Sequence, residues 1–326
     1  MINFRFHIIS LVAVFLALAL GILFGSAVGE PAIVDTLHNT IDNVRNRADQ
    51  RRAENVTLHS QVDRLNHYIT GVAPYAVAGR LTGVDVAVVA IEGVDRGRVN
   101  DTLAMLRLAG ANAPMTVWLQ ARFALADPAA VETLASLLGS PSADPATLRA
   151  QALQLLAQRF SRPFPIVGGA TTTTTTTGTA VTNASAQDIL TRLVDAKFIK
   201  VDGLRADAFA SFPLHRARAL AIDGVGSDIT DGVTYDALVT SLTNGGVRTV
   251  AAEISSDSRD VQRGVAVGAI RGDDSLKGKV STIDDLDLPL GQVCAALALE
   301  QTAQGIVGDY GYGKGASLLV PKMPAL

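Results

Sequence analysis

The sequence is poor in cysteine and in aromatic residues, and its charges almost cancel. Cys294 is the single cysteine among 326 residues, which excludes an internal disulfide and a zinc site built from several cysteines. With 28 Lys and Arg against 31 Asp and Glu, the formal net charge is -3, so no basic excess indicates a nucleic-acid partner. Apolar residues make up 48% of the chain and charged residues 18%, which excludes a disordered or collagen-like protein and leaves globular or membrane-attached classes.

Familiar catalytic signatures are also missing. The sequence contains no GxSxG elbow, HExxH pair or Ser-x-x-Lys motif. A copper site needs thiolates, thioethers or imidazoles in clusters, yet the one Cys, four Met and five His form no Cys-x-x-Cys, Met-x-x-Met or His-x-His motif. The histidines are scattered, at His7, His38, His59, His67 and His215. We therefore expect a protein that is not an enzyme and that holds no cofactor or metal.

Two segments leave a chemical alternative open. The Gly224-Val225-Gly226 turn follows a predicted strand and could admit a phosphate, but Ile229 replaces the third glycine of the dinucleotide fingerprint, which favours a structural turn. Acidic residues before a helix predicted from Pro289 could bind a hard cation or form an acid and base pair, but their position favours charge at the positive helix end and N-terminal capping. They are Asp273, Asp274, Asp284, Asp285 and Asp287. Cys294 falls on the apolar face of this helix, which predicts a buried small hydrophobic residue.

A membrane anchor is predicted at the N-terminus. Ile8 to Val28 is a run of 21 residues without a charge, and a helix of that length rises about 31 Å, enough to cross the hydrocarbon core. A cleaved signal peptide is the alternative, because Arg5 resembles its charged region and Ala27-Val28-Gly29 is a tolerable cleavage site. The run is longer than the usual apolar region of a signal peptide, so we expect residues 1–29 to be retained as a cytoplasmic tip and transmembrane helix.

Charges beside this span predict its orientation. Arg5 precedes the span, whereas Glu30 and Asp35 follow it, so the positive-inside bias places the N-terminus in the cytoplasm. We expect a single-pass protein of the cytoplasmic membrane whose C-terminal domain is extracytoplasmic. Three glycines at four-residue spacing form a stripe on which another helix could pack, although glycine is common in membrane helices anyway. They are Gly21, Gly25 and Gly29.

Residues 30–73 carry a seven-residue apolar repeat that predicts a coiled-coil helix. Ten of its twelve core positions are apolar over more than five heptads, which is longer than an ordinary amphipathic helix requires. One core position holds Val34, Ile41, Ala48, Asn55, Val62 and Ile69, and the other holds Leu37, Val44, Arg51, Leu58, Leu65 and Val72.

Arg51 and Asn55 interrupt this seam, and further arginines flank them, so a parallel homodimer would bring like charges together. The two polar residues either set register and oligomeric state or receive an acidic helix from a different protein. The alternative is a solvated face on a helix that folds back on its own domain. We expect a dimer or hetero-oligomer that binds its partner protein through the seam.

The pattern of residues 74–326 predicts an extracytoplasmic α/β domain. Gly71 and Pro74 are expected to end the helix, and from Asp85 short β-branched runs alternate with helical ones. This alternation indicates a mostly parallel, Rossmann-like sheet covered on both faces, with two halves joined through residues 140–186. That joining stretch, with seven consecutive threonines from Thr171 to Thr177, is predicted to be a flexible loop, and glycosylation of the threonines is the alternative.

Residues 305–315 are the most unusual stretch, with five glycines and two tyrosines. Such a composition implies tight turns whose backbone approaches something closely. The segment is predicted either as a docking loop or as the closing turns of the domain. Its centre is Tyr310, Gly311, Tyr312 and Gly313.

These residues resemble a known family. Ile2 to Ser26, with Phe6-His7-Ile8-Ile9-Ser10-Leu11 and the run from Phe15 to Gly21, is similar to the N-terminus of the mycobacterial copper transport protein B (MctB) family. The Leu106 to Gly110 stretch and the Tyr310 to Ala316 loop are similar as well, so the resemblance covers essentially the whole chain.

The resemblance has two implications for function. The family name implies copper homeostasis or efflux, with members described as outer-membrane channels. Members called SteB, encoded beside a partner called SteA, look like cell-separation factors that control a peptidoglycan hydrolase from outside the membrane. An outer-membrane pore needs a closed barrel or amphipathic spanning segments, whereas this sequence has one apolar helix and an α/β pattern. We therefore favour a SteB-like scaffold with a SteA-like partner, and keep copper homeostasis, with copper as a possible ligand, as the alternative.

Overall fold

The computed structural model describes residues 4–161, 191–203, 217–255 and 263–322. The chain divides into two compact units, residues 1–65 and 66–326. The threonine tract Thr171 to Thr177, for which a flexible loop was predicted, lies outside the described residues.

The first helix, α1, spans Phe4–Val77. Its segment Phe4–Gly25 is long and apolar enough to cross a membrane, by length and composition. Gly71 and Pro74 do not end the helix, contrary to the sequence analysis. Ala73 and Val77 are 1% and 0% exposed, and the apolar contacts of this last turn stabilise the helix past the proline.

The second unit is built on a seven-stranded sheet. Its strands are β1 (Val86–Ile91), β2 (Thr116–Leu119), β3 (Ile199–Asp202), β4 (Arg218–Gly224), β5 (Thr249–Ile254), β6 (Ser281–Ile283) and β7 (Asp309–Tyr310). The strand order is β3-β2-β1-β4-β5-β6-β7. All neighbouring strands pair in parallel except β2 and β3, which are antiparallel. This topology confirms the predicted mostly parallel α/β fold.

Helices connect the strands. They are α2 (Arg96–Leu108), α3 (Pro128–Leu138), α4 (Pro145–Ser161), α5 (Val233–Asn244), α6 (Ala266–Gly272) and α7 (Pro289–Gln301), with short 3-10 turns at Ala121–Ala124 and Thr302–Gln304. Local sequence signals explain where α3 begins and ends. The Asp127 carboxylate accepts the Ala129 N–H at the start of α3, and Gly139 ends that helix in the left-handed region.

Two apolar clusters lie against the sheet, one on each face. All six residues of β1 are buried, and they alternate between the clusters, so that Val89 and Ile91 belong to one and Val88 and Ala90 to the other. Burial on both faces explains why this strand is a continuous apolar run rather than an alternating one.

The structure corrects two further expectations. The domain has one continuous sheet rather than two halves joined through residues 140–186. Part of that stretch is the helix α4, packed into the core through Leu153 and Phe160, both 0% exposed, so the flexible-loop prediction is wrong there. Its remainder from residue 162 lies outside the described residues.

Candidate functional site

The heptad face, defined as the apolar core positions of the repeat on α1, is exposed in the single chain. Six of its side chains are between 39% and 61% exposed. They are Leu37, Ile41, Val44, Leu58, Val62 and Leu65. Ile69 is half-buried, and the side chain of Val34 lies outside the described part of the chain. A second helix would remove this apolar area from water, at roughly 25 cal/mol per Å². Such pairing stays a prediction.

The polar centre of the heptad face is solvated. Arg51 and Asn55 are both exposed. Beside them, Arg52 lies 3.7 Å from the carboxylate of Asp49, in an ion pair whose side chains are 83% and 73% exposed. Ion pairs this exposed contribute at most about 1 kcal/mol. The charged groups therefore remain available to a partner helix.

The predicted glycine stripe also lies on α1. A Cβ at Gly21 or Gly25 would meet nothing within 4 Å, so both positions present open backbone. Gly29 is in the same helix, but the contacts around it lie outside the part of the chain that the structure describes. Helix packing at this stripe stays a prediction.

The glycine loop, residues 305–315, wraps around a buried carboxylate. Asp284 is 0% exposed and accepts the N–H groups of Tyr312 and Gly313 at 2.8 and 2.9 Å. Its other oxygen accepts Arg271 Nη1 at 2.9 Å. The same arginine donates to the carbonyl of Tyr310 at 3.0 Å. A buried ion pair with this many donors fixes the loop against α6 and β6.

Backbone geometry requires glycine in this loop. Gly311 has a φ of +117°, and a Cβ there would lie 2.2 Å from Asp284 Oδ1. Tyr310 is 1% exposed, whereas Tyr312 is 57% exposed. The geometry favours the closing-turn interpretation, although the side chains of Ile306 and Tyr312 are exposed as a docking loop would require. Docking through this loop stays a prediction.

Two of the acidic residues before α7, Asp284 and Asp287, bind arginines instead of capping the helix. Leu288 is the N-cap residue of α7 and makes no side-chain cap hydrogen bond, so the capping prediction is wrong. Asp287 binds Arg263 through both oxygens, at 2.6 and 2.7 Å, whereas Asp284 binds Arg271 through Oδ2 alone. Within the described part of the chain, no group of three or more His, Cys, Asp or Glu could hold a metal ion.

Asp285 lies between these two pairs without an arginine of its own. It is 0% exposed, and neither of its carboxylate oxygens has a hydrogen-bond partner. Burial raises the pKa of Asp285 to about 7, and the neighbouring charges of Asp284 and Asp287 raise it further than Arg263 lowers it. The sequence analysis grouped Asp285 with the helix-capping candidates. It did not predict that this carboxylate would lack a hydrogen-bond partner.

Glu253, in β5, was missed by sequence analysis altogether. One of its carboxylate oxygens accepts the Ser255 hydroxyl at 2.8 Å and the Gly264 N–H at 2.9 Å. The other accepts the N–H groups of Ala266 and Val267 at 2.7 and 3.2 Å. Glu253 therefore caps the start of α6. The sequence signal that could have identified Glu253 is an acidic residue near the end of a mostly apolar strand.

The Gly224 turn after β4 is structural. Gly224 has a φ of +151°, and a Cβ there would lie 2.0 Å from the carbonyl oxygen of Ile254. Val225 N–H donates to the same carbonyl at 2.9 Å. This close approach explains the glycine without a phosphate.

The crevice between the ends of β1 and β4, where doubly wound sheets bind dinucleotides, is filled by backbone. Asp228 N–H donates to the Glu92 carbonyl at 2.7 Å. A Cβ at Gly93 would lie 2.2 Å from the carbonyl oxygen of Gly226. The two loops therefore contact each other directly, and a cofactor has no room between them.

The described soft ligand atoms do not meet. Cys294 is 0% exposed, and its thiol donates to the Leu319 carbonyl at 3.4 Å. Burial first, and then nearby Asp285, raises the pKa of this thiol well above its usual range, so it is not a thiolate. Met105 and Met115 are buried in the clusters on opposite faces of the sheet. The described histidines lie along α1, at His7, His38, His59 and His67.

Comparisons with known proteins match the chain along almost its full length. Copper transporter MctB of Mycobacterium bovis is 26% identical over 322 residues, covering 97% of this chain and 98% of that protein. The same values hold for copper transporter MctB of two strains of Mycobacterium tuberculosis. The family model described as "Copper transport outer membrane protein, MctB" matches residues 1–321. The chain therefore belongs to the MctB family.

Proposed function

We propose that this protein is a non-enzymatic, membrane-anchored component of copper homeostasis. The observation that carries the proposal is the likeness to copper transporters over 97% of the chain, which includes the apolar helix, the heptad face and the α/β domain. The sequence analysis ranked a SteB-like scaffold first. The family name and the names of these relatives favour copper instead, and reverse that order.

The protein acts on copper through a partner rather than through its own thiol. Cys294 lies in the core, and burial keeps its thiol protonated. The heptad face, by contrast, is an exposed apolar surface of the length that a helical partner covers. Copper is the cargo in this scheme, and the partner supplies the ligands. Arg5 before the apolar helix and Asp35 after it support an extracytoplasmic position for the α/β domain.

Deleting the gene from the cell that encodes it tests the proposal. We expect increased cellular copper and growth inhibition at lower copper concentrations, both restored by the wild-type chain. The double variant Leu58→Asp, Leu65→Asp should fail to restore them, because it places charges in the heptad face. Val56→Asp is the matched control, since Val56 is 68% exposed on the same helix but outside the heptad face.

Copper content that is unchanged by the deletion would contradict a role in copper homeostasis. Full rescue by the heptad double variant would contradict action through the partner. The Cys294→Ala variant should rescue growth, and its failure, with the protein folded and present in the membrane, would assign the copper ligand to this chain.

A second candidate is a SteB-like scaffold that assembles with a SteA-like partner to regulate a peptidoglycan hydrolase. The exposed heptad face favours it, because an adaptor needs a surface for a partner. The same deletion strain discriminates between the two. Chains of unseparated cells with normal copper content would support the scaffold, whereas raised copper with normal cell separation would support copper homeostasis.

A further inference from the structure

A cavity of about 360 Å³ lies at the carboxyl ends of β4 and β5, between the first turns of α5 and α6. This is the side of a parallel sheet on which α/β proteins bind ligands. It lies beside the filled crevice, and the Gly224 turn separates the two. Its volume is within the range of small-molecule sites and suits a ligand of roughly ten non-hydrogen atoms.

An unpaired carboxylate oxygen lies at the wall of this cavity. Asp223 is 6% exposed, and its Oδ1 has no hydrogen-bond partner. Burial raises the pKa of Asp223 to about 6, against the lowering effect of hydrogen bonds from Gly224 and Ser227, and the charges of Glu253 and Asp231 act in the same direction as burial. A buried acceptor without a donor destabilises the fold, so a ligand that donates to it removes this penalty.

The other polar side chains of the cavity also favour a ligand that donates hydrogen bonds. The Tyr235 hydroxyl already donates to the carbonyls of Ala221 and Ala252, at 3.1 and 3.0 Å. Glu253 has four donors of its own. Asp236 Oδ1 is a second buried acceptor without a partner. Of the described residues that line the cavity, none is basic. Apart from the hydroxyls of Ser227 and Thr230, the polar side chains left for a ligand are therefore acceptors, and the local charge is negative.

The remaining wall is largely apolar. Its apolar side chains come from the turn after β4 and from the start of α6, and they are Val225, Ile229, Val265, Ala266 and Ala269. An apolar wall with one or two precisely placed polar groups is typical of sites for small organic molecules.

We propose that this cavity binds a small organic amine, with its ammonium group donating to Asp223 and its apolar part against the wall formed by α6. A carboxylate or phosphate ligand would be repelled by the acidic residues. A purely apolar ligand would leave the Asp223 acceptor unpaired. The proposal is independent of the role in copper homeostasis, because it uses neither a metal nor the heptad face.

Fluorine NMR on the full-length protein in lipid nanodiscs tests it. The probe is para-fluorobenzylamine, and para-fluorobenzoate and empty nanodiscs control for charge and for partition into lipid. We expect saturable binding of the amine and none of the benzoate. Asp223→Asn keeps the shape of the side chain but loses its charge, and should bind the amine about tenfold more weakly. Asp101→Asn removes an exposed carboxylate on α2, away from the cavity, and should bind like the wild type.

Equal behaviour of the amine and the benzoate would overturn the proposal, as would equal affinities of the Asp223 and Asp101 variants. Ala269→Phe adds a ring at the cavity wall on an exposed position of α6. The Ala269→Phe variant tests the proposal if the Asp223 variant does not fold. Loss of amine binding would support the cavity as the binding site. Unchanged binding would contradict the proposal.

Discussion

At the scale of single residues, carboxylates near the ends of buried strands meet three different environments. Glu253 in β5 has four hydrogen-bond donors and caps a helix. Asp284 after β6 has an arginine and two backbone N–H groups. Asp285, the next residue, has no partner for either oxygen. Hydrogen bonds, and for Asp284 an ion pair, hold the first two carboxylates in the fold, whereas Asp285 stabilises the fold best when it is protonated.

We expect Asp285→Asn to reduce the pH dependence of stability. The pKa of Asp285 is raised to about 7 in the folded protein, so its contribution to stability is complete below pH 4 and is lost as pH rises towards 7. Between pH 5 and pH 8 the wild type should lose about 2–3 kcal/mol more than the variant. Urea unfolding followed by Trp118 fluorescence measures this, because Trp118 is the single tryptophan and is 2% exposed. Parallel curves for the two proteins would show that Asp285 is ionised in the fold.

Gly311→Ala should unfold the glycine loop. The new Cβ would lie 2.2 Å from Asp284 Oδ1 at a φ of +117°, so the loss of stability should be several kcal/mol. Gly305→Ala is the matched control, since Gly305 also has a positive φ of +71° but has open space around it. That change should cost about 1 kcal/mol. Urea unfolding measures both, and equal losses would contradict the tight packing around Asp284.

The sequence carries part of this residue-scale information. The buried, protonated Cys294 was predictable from its place on an apolar helix face. The pairing of Asp284 with Arg271 was not, because the arginine lies on α6, a helix of seven residues that the sequence pattern did not reveal. Ion pairs between segments depend on the folded arrangement, which local periodicity does not encode.

At the scale of elements, prediction succeeded where one face or both faces of an element are buried over its whole length. The sequence signal of β1 is its continuous apolar run, and that of α3 is Asp127 and Pro128 at its start and Gly139 at its end. β3 was missed because it is a short, half-exposed edge strand, and β7 because it has two residues. Pro74 was given too much weight as a helix breaker, since packing of the last turn outweighs its cost.

The heptad face should mediate self-association or pairing with another helix. The double variant Leu58→Asp, Leu65→Asp would bury charges in any such interface and should shift the purified protein to a smaller sedimenting species. Val56→Asp adds one charge to the same helix outside the face and should leave sedimentation unchanged. If the double variant and the control sediment alike and retain the same co-purifying proteins, the coiled coil is excluded.

At the scale of the whole molecule, we expect an uncleaved N-terminal anchor. The apolar segment Phe4–Gly25 has the length of a membrane-spanning helix, and α1 continues beyond it without a break. Intact-mass measurement on the membrane-extracted protein should give the full chain. A mature N-terminus at Glu30 would instead show a secreted protein, and protection of the α/β domain from protease added to spheroplasts would contradict its outside position.

The filled crevice between β1 and β4 has a consequence for the motions of the domain. β1 and β4 are hydrogen-bonded neighbours from Val86 to Ala90, in the evenly spaced pattern of a parallel pair. Beyond these pairs, the Asp228 N–H bonded to the Glu92 carbonyl joins the loops that follow the two strands. We therefore expect no hinge at this line, and the amides of β1 and β4 should exchange with solvent as one cooperative unit.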